Sequence, residues 1–184
     1  MPKCIIEKLN TEANEQDLQA QFDFCKMLTE PSTNGFGWPV PLMEAQDLKE
    51  FRLRLGAFAA KENYNLEALR EHGYVPQQYW WVKNEQNAVI GLAKLRYILT
   101  PAMLRRGGHI GYGLAEAYRG QGYGTAALAL LLGECRKHGL HDVLLTADPD
   151  NFASRRVIEK NGGQLWDIVH REEGDAARYW IHVE

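Results

Sequence analysis

Residues 118–132, YRGQGYGTAALALLL, place Gly120, Gly122 and Gly124 directly before a long apolar run. This pattern predicts a glycine turn that leads into a helix packed against a sheet. The first turn of a helix leaves backbone N–H groups without partners, and the helix dipole adds positive potential there. Because glycine lets a ligand approach that backbone closely, and because Arg119 can add a charged hydrogen bond, the turn predicts a site for a phosphate-bearing ligand.

Two common phosphate-binding patterns do not fit this turn. The dinucleotide fingerprint GxGxxG needs a glycine at the place that Thr125 occupies, and a Walker A loop needs a lysine near Gly124, where there is none. A glycine turn that only lets a helix pack closely on a sheet is an alternative at this point. A nucleotide-binding protein is another alternative, and it rests on the glycines alone.

The elements predicted around the turn alternate between strands and helices. Strands are predicted at residues 4–9, 79–83, 88–98, 109–114, 142–147, 164–169 and 177–183, and helices at 12–28, 44–69, 123–138 and 152–161. Residues 30–41, rich in glycine and proline, predict a loop. The first third is therefore expected to be mainly helical, and the centre to be a strand, a glycine turn, a helix and a strand.

Composition excludes some function classes. A chain of 184 residues can bury a full core in one domain, and its net charge of −3 offers no basic excess for nucleic acid. Cys4, Cys25 and Cys135 lack metal-ligand or disulfide spacing and are expected to be free thiols in a reducing cytoplasm. With no signal-like or membrane-spanning apolar segment, we expect a soluble, unprocessed cytoplasmic protein without a membrane partner.

The turn also resembles a known family. Residues 119–124, RGQGYG, match the Arg/Gln-x-x-Gly-x-Gly/Ala signature of the GNAT superfamily of acyl-CoA-dependent N-acyltransferases, and residues 150–163, DNFASRRVIEKNGG, resemble its Asn-x-x-Ala/Ser segment. From about residue 74 onward the chain resembles a subgroup of predicted acetyltransferases of that superfamily. The resemblance implies an α/β (α+β mixed) fold: a GNAT-like central mixed, mostly antiparallel sheet flanked by helices. The strands at 109–114 and 142–147 would form a parallel, splayed pair in it.

The resemblance implies an N-acetyltransferase that uses acetyl-CoA as its acyl donor and no metal. The acetyl group would pass to an amine of a small molecule or peptide by direct attack in a ternary complex. Residues 1–73 would form the acceptor side and residues 74–184 the acyl-CoA-binding core of a single domain. The resemblance also allows a homodimer. The cofactor-binding residues implied are Leu114, Arg119, Gly120, Gln121, Gly122, Tyr123, Gly124, Thr125, Asn151, Ser154 and Arg155.

Within that set, the turn would hold the pyrophosphate on its backbone N–H groups, and the strand ending at Leu114 would pair with the pantetheine arm. An N–H group near Leu114 and Ala115 would meet the oxyanion. Asn151 would bond the pantetheine or order the strand end, and it also suits a helix N-cap. Arg156, next to the implied ligand Arg155, is expected on a solvated helix face.

The general acid is not assigned by the sequence. Many relatives carry a tyrosine seven positions after the family asparagine, and here that position is Ile158, which cannot protonate a thiolate. Three tyrosines lie nearby in sequence, although packing is their more ordinary role: Tyr112, Tyr118 and Tyr123. The missing acid keeps open a second hypothesis, a catalytically silent acyl-CoA-binding regulatory module.

A general base matters most for a lysine-type acceptor, which is neutral only about once in 2,500 molecules at pH 7. Glu116, just past a strand end, and His109, at the start of that strand, are the candidates. Asp148 and Asp150 follow the next strand and are further options. Four aromatic residues are expected either to line the acceptor side or to belong to the core: Trp38, Tyr79, Trp80 and Trp81.

Overall fold

The computed structural model describes residues 2–33, 36–63, 67 and 71–184. These residues form nine strands: β1 Ile5–Lys8, β2 Ser32–Thr33, β3 Phe36–Gly37, β4 Gln77–Lys83, β5 Val89–Arg96, β6 Ile110–Leu114, β7 Asp142–Ala147, β8 Gln164–Val169 and β9 Ala176–His182. They also form six α-helices: α1 Glu15–Met27, α2 Val40–Met43, α3 Leu48–Ala59, α4 Pro101–Arg105, α5 Tyr123–Lys137 and α6 Phe152–Lys160. Residues 64–66 and 68–69 of the predicted helix 44–69 lie outside the described residues.

The strands form two larger sheets and a short hairpin. The first sheet has the order β1-β4-β5-β6, the second has the order β7-β9-β8, and β2 pairs with β3. Every pairing among the described residues is antiparallel. The fold is therefore mixed α/β with an antiparallel sheet and flanking helices, as the resemblance implies.

The expected parallel pairing of β6 with β7 is not found in the described part of the chain. The two strands are joined only at one end, where the His109 N–H donates to the Leu144 carbonyl at 2.8 Å. The Leu144 N–H in turn donates to His109 Nδ1 at 2.9 Å. A side chain at Gly108, whose φ is +60°, would collide with the same Leu144 carbonyl, so glycine is needed for this close approach.

Apolar residues cover both faces of the first sheet. Alternate residues of β4 point to opposite faces, so Trp80 and Val82 join α5 and the second sheet, whereas Tyr79 and Trp81 join the N-terminal helices. Trp38, Tyr79, Trp80 and Trp81 are all buried in these two clusters. Of the two roles open to these aromatic residues, the structure supports the core.

Capping side chains set the start of four helices. Asn14, Asp47, Thr100 and Asn151 each accept a backbone N–H from the first turn of α1, α3, α4 and α6. The Asn14 cap explains why α1 begins at residue 15 rather than at 12. Helix α4 is absent from the elements predicted above, although Thr100 followed by Pro101 is a typical helix start. No helix among the described residues could cross a membrane.

Candidate active site

The glycine turn opens on a cleft of about 330 Å³, which we call the turn cleft. It lies between the end of β6, the start of α5 and one face of α6. The lining residues are Tyr112, Gly113, Leu114, Arg119, Gly120, Gly122, Gly124, Thr125, Asn151, Ala153, Ser154, Arg156, Val157 and Lys160. Eight of the predicted cofactor-binding residues are thus brought together: Leu114, Arg119, Gly120, Gly122, Gly124, Thr125, Asn151 and Ser154.

The start of α5 differs from the four capped helix starts. Its N-cap is Gly122, with a φ of +91°, and no side chain among the described residues caps it. The first N–H groups of α5 are therefore left for a ligand, with the positive end of the helix dipole behind them. Gly120, with a φ of +73°, has open space where a Cβ would lie. The turn cleft is accordingly suited to a phosphate group held by backbone N–H groups.

The edge of β6 contributes further backbone groups. The Ala115 N–H donates to the Ile90 carbonyl at 2.9 Å, and the Arg96 N–H donates to the His109 carbonyl at 2.8 Å. Because hydrogen-bonding direction alternates along an antiparallel pair, the N–H and C=O groups of Tyr112 and Leu114 point away from β5, toward the open edge. The Leu114 carbonyl there accepts Arg119 Nε at 3.0 Å. The Ala115 N–H is bonded to the Ile90 carbonyl, whereas the Leu114 N–H points toward the cleft. Of these two N–H groups, that of Leu114 is therefore the one available to a ligand.

The three predicted cofactor-binding residues that do not line the turn cleft direct their side chains to other partners. Gln121 Nε2 donates to the Ala117 carbonyl at 2.7 Å, and Tyr123 Oη donates to Glu85 Oε2 at 2.9 Å. Arg155 donates to Tyr179 Oη at 2.7 Å and to the Pro149 carbonyl at 2.9 Å. These side chains fix the turn and α6 in place, and only the backbone of Gln121 and Tyr123 is left to serve a ligand.

Two basic residues of the cleft are absent from the predicted ligands. Arg156, expected on a solvated face, lines the turn cleft together with Lys160, one helical turn further along α6. With Ala153 and Val157 they form the face at positions i, i+3, i+4 and i+7. The Asn151 cap, whose Oδ1 accepts the Ser154 N–H at 3.1 Å, fixes the phase of this face. The Asn151 cap and the helical period together would have placed Arg156 and Lys160 on the face toward the cleft, and both can be recognised in the sequence.

A second, smaller cavity of about 100 Å³ lies in the gap between β6 and β7, and we call it the gap cavity. Charged side chains from three segments reach it, namely Lys94, Arg96, Arg106 and Asp148. Phe36, Gly111, Ile158 and Ala176 supply part of its apolar wall. Arg106 forms an ion pair with Asp148, so the charges of these two residues compensate each other.

The turn cleft and the gap cavity share Tyr112 and Ser154. Tyr112 Oη lies 3.3 Å from Ser154 Oγ, within hydrogen-bond distance. Burial raises the pKa of Tyr112 to about 12, and the hydrogen bond to Ser154 opposes this in part. The Tyr112 hydroxyl therefore stays protonated near neutral pH and can donate a hydrogen bond where the two cavities meet.

The predicted catalytic residues Glu116 and His109 do not line either cavity. Glu116 is exposed in a short 3₁₀ turn, Glu116–Tyr118. His109 is buried and accepts the Leu144 N–H, and burial together with the Arg96 charge lowers its pKa. Of the further options, Asp148 lines the gap cavity and Asp150 is exposed.

The cysteines take no part in either cavity. Cys4, Cys25 and Cys135 are free, as expected. Burial raises the pKa of Cys4 to about 11 and that of Cys25 and Cys135 to about 12. All three thiols are therefore protonated near neutral pH and are poor nucleophiles.

The uncapped glycine turn, the free edge of β6 and the basic face of α6 together form a cleft suited to a diphosphate-bearing ligand. The family model of the acetyltransferase (GNAT) domain matches residues 11–164, most of the chain. The chain belongs to the GNAT acetyltransferase family.

Individual relatives are more distant. The chain is 38% identical over 58 residues to the uncharacterized N-acetyltransferase YycN of Bacillus subtilis (strain 168), a match that covers 32% of this chain and 37% of that relative. Thus the chain spans only about a third of the length of this curated relative.

Solved structures match over nearly the whole chain. The ribosomal-protein-S5-alanine acetyltransferase from Vibrio fischeri has a TM-score of 0.63 at 16% identity, covering 100% of this chain and 95% of the other. The ribosomal L7/L12 alpha-N-protein acetyltransferase RimL, solved with coenzyme A, has a TM-score of 0.59 at 19% identity, covering 96% and 98%. At these identities the likeness shows a shared fold.

Proposed function

We propose that this protein transfers an acetyl group from acetyl-CoA to an amine of a small molecule or peptide, by direct attack in a ternary complex. The observation that carries the proposal is the uncapped start of α5 at Gly122, open to the turn cleft. In the other helices of comparable length within the described residues, a side chain occupies this position. A helix start left bare beside basic side chains is what a diphosphate-bearing donor requires.

The donor would be held largely by backbone. The N–H groups of residues 120–125 would bind the diphosphate, with Arg156 and Lys160 adding positive charge. The outward N–H and C=O groups of Tyr112 would pair with the extended amide arm of coenzyme A as another strand would, which leaves the Leu114 N–H for the thioester carbonyl. Ser154, at the junction of the two cavities, would lie near the reactive end of the donor.

Acetyl-CoA supplies an activated thioester, and the chain's own residues would position and polarise it. The Leu114 N–H, free of β5, is the donor suited to a developing oxyanion. The Tyr112 hydroxyl, which is protonated at neutral pH, would donate a hydrogen bond to the leaving sulfur, a role that Ile158 cannot take. A thiol with a pKa near 8.5 is already a fair leaving group, so a hydrogen bond from a weak acid suffices.

The acceptor would enter from the gap cavity, which meets the turn cleft at Tyr112 and Ser154. Residues 1–73 would form this acceptor side, through Phe36, and residues 74–184 the donor-binding core of one domain. Glu116 and His109 stay predictions as general bases. Asp148 is the carboxylate in the gap cavity, and its ion pair with Arg106 limits it to a positioning role.

Calorimetry and a turnover assay test the proposal together. Titration with acetyl-CoA, ATP and NAD should give binding with acetyl-CoA alone. Release of free thiol from acetyl-CoA should then depend on an added amine, across a panel of amino acids, peptides and polyamines. Tight binding without turnover across the panel would instead favour the silent regulatory module, and binding of ATP or NAD in place of acetyl-CoA would overturn the proposal.

Replacement of Tyr112 by phenylalanine tests the proposed hydrogen bond to sulfur. We expect Tyr112→Phe to lower kcat about tenfold, the size expected for one lost hydrogen bond to the leaving sulfur, with the Kd for acetyl-CoA within about twofold of wild type. Tyr118→Phe is the matched control because Tyr118 packs against Tyr123 and lines neither cavity. An unchanged kcat in Tyr112→Phe would remove Tyr112 from the mechanism.

A further inference from the structure

Lys94 projects across the edge strand into the gap cavity. It lies opposite Gly111 in the β5–β6 pairing. A Cβ at Gly111 would lie 3.0 Å from Lys94 Cε, so the lack of a side chain there lets the lysine pass over β6. Its Nζ lies 5.2 Å from the centre of the Phe36 ring, and Phe36 also lines the cavity. The glycine at position 111 thus leaves space for the Lys94 amino group at the gap cavity.

Within the described residues, the charge of Lys94 meets the ring of Phe36 but no acidic side chain. Its Nζ makes no hydrogen bond or ion pair with any residue that the structure describes. Burial, assisted by the charges of Arg96 and Lys61, lowers its pKa to about 8, which leaves about nine in ten Lys94 side chains protonated at pH 7. A half-buried cation without a partner costs free energy that a bound anion would recover.

The neighbouring charges add to this potential. Arg96 donates to the Gly108 carbonyl at 2.9 Å and to the Gly107 carbonyl at 3.4 Å, so its side chain is held by backbone. Asp148, the carboxylate of the cavity, is matched by Arg106. Among the described residues, Lys94 and Arg96 therefore give the gap cavity about two positive charges that no carboxylate offsets.

We propose that the gap cavity binds a carboxylate of the acceptor, with Lys94 Nζ as its partner, so that the acceptor is an amine carrying a carboxylate a few carbon atoms away. This inference rests on the proposed function of the same site. A cavity of about 100 Å³ holds roughly three water molecules' volume, enough for a carboxylate and a short carbon chain. The amine of such a molecule would then lie toward Tyr112 and Ser154, where the gap cavity meets the turn cleft.

The same charges serve the chemistry of the amine. The carboxylate offsets the charge of Lys94, and the remaining positive charge of Arg96 disfavours the ammonium form and so lowers the pKa of an amine bound beside it. The attacking amine loses its proton to solvent more readily, and the need for a dedicated base falls. Polyamines, which carry positive charges only, would be repelled from this cavity.

Binding of matched acceptors tests the inference without any need for turnover. Isoglutamine and glutamine amide are α-amino amides that differ only in a side-chain carboxylate or carboxamide, and isoasparagine and asparagine amide form a second, shorter pair. Each would be titrated into the full-length protein saturated with coenzyme A. For at least one pair we expect the carboxylate to bind tenfold or more tightly than the carboxamide.

The substitution Lys94→Met should reduce that preference to within twofold, since methionine keeps the length and removes the charge. Lys137→Met is the control, because Lys137 is exposed on α5 and pairs with Glu134. Equal binding of carboxylate and carboxamide in both pairs, or a preference that survives Lys94→Met, overturns the inference.

Acetyl transfer to the same compounds separates this inference from the proposed function. A carboxylate preference in binding that depends on Lys94, with no transfer to any amine, would retain the site and reject the transferase. Transfer that is equally efficient to carboxamides and polyamines would retain the transferase and reject the carboxylate site. A KM lower by tenfold or more for the carboxylate member, lost in Lys94→Met, supports both.

Discussion

The turn cleft and the gap cavity share Tyr112 and Ser154 but are built in different ways. The turn cleft is formed mainly by backbone and glycines from residues 112–125 and one face of α6, which are close in sequence. The gap cavity is formed by side chains from Phe36, Lys94, Arg106 and Asp148, spread over more than a hundred residues. A donor shared by a whole family can be bound by local backbone geometry, whereas selection of one acceptor needs side chains that tertiary structure brings together.

The largest effect should follow from a negative charge placed in the turn. Gly120 and Gly139 have nearly the same backbone, with φ of +73° and +72°, and neither has a neighbouring atom within 4 Å of an added Cβ. We expect Gly120→Asp to weaken acetyl-CoA binding about 30- to 150-fold, roughly 2–3 kcal/mol, because a carboxylate would face the diphosphate. Calorimetry of the purified variant measures this change.

Gly139→Asp controls for the backbone strain of the same substitution. It lies past the C-terminal end of α5, so both variants carry a similar cost of left-handed backbone, which aspartate tolerates better than most residues. Its affinity for acetyl-CoA should stay within twofold of wild type. Equal loss of affinity in both variants would mean that folding, rather than the turn, is responsible.

A smaller effect should appear where the N-terminal segment packs on β6. A Cβ at Gly113 would lie 2.6 Å from Phe36 Cδ1 and 2.9 Å from Trp38 Cη2. Because both aromatic residues are buried, we expect Gly113→Ala to lower the free energy of unfolding by about 1–3 kcal/mol. Urea denaturation measures it.

Gly133→Ala is the opposite case. Gly133 is exposed within α5 and has no neighbour within 4 Å of an added Cβ, so alanine should raise the free energy of unfolding by about 0.5–1 kcal/mol. If Gly113→Ala proved as stable as wild type, the packing of Phe36 and Trp38 on β6 would be looser than the structure has it.

Adjacent arginines on α6 should separate binding from stability. Arg156 lines the turn cleft, and we expect Arg156→Met to raise the Kd for acetyl-CoA about three- to tenfold and to weaken its dependence on salt. Arg155 bonds Tyr179 and Pro149, so Arg155→Met should lower the unfolding free energy by about 1–3 kcal/mol and leave the Kd within twofold. Calorimetry and urea denaturation of both variants measure the two quantities, and the reverse pattern would restore Arg155 as the ligand.

These residues show which parts of the site a sequence can disclose. The glycine turn and the apolar run of α5 are local patterns, so residues 118–132 are enough to predict a ligand site at the turn. The choice between Arg155 and Arg156 depends on helical phase, which becomes definite only when Asn151 is taken as the cap. Apolar periodicity is enough to predict helix α6, but it does not tell which side of that helix faces a ligand.

The gap cavity lay beyond sequence reasoning for a physical reason. The pattern of apolar residues in β5 does not reveal that Lys94 will pair with a glycine, Gly111, on the neighbouring strand β6. The resemblance implies a parallel pairing of β6 with β7, yet the hydrogen bonds found in the described part of the chain join only one end of these segments, at Gly107, His109, Leu144 and Thr146. Where two sheets separate, the position of each side chain depends on non-local geometry that neither strand encodes by itself.

The smallest effect should come from the contact between His109 and Leu144, which joins the segments of β6 and β7 beside the gap cavity. His109 accepts the Leu144 N–H through Nδ1, a bond that needs this nitrogen unprotonated, and burial lowers the pKa of His109 from its ordinary value near 6.5. The unfolded chain therefore binds the proton more readily, so stability falls as the pH drops below about 6.5 and is restored above it. The slope from this group is at most about 1.4 kcal/mol per pH unit.

The variant His109→Asn isolates this contribution, because its Oδ1 can accept the same N–H without titrating. We expect the loss of unfolding free energy between pH 7.5 and 5.5, measured in urea, to be smaller in His109→Asn than in wild type. His182→Asn, at an exposed histidine near Asp142, should keep the wild-type dependence. If His109→Asn lost as much stability as wild type on acidification, protonation of His109 would not be what weakens the contact between β6 and β7, and other titrating groups would account for the pH dependence.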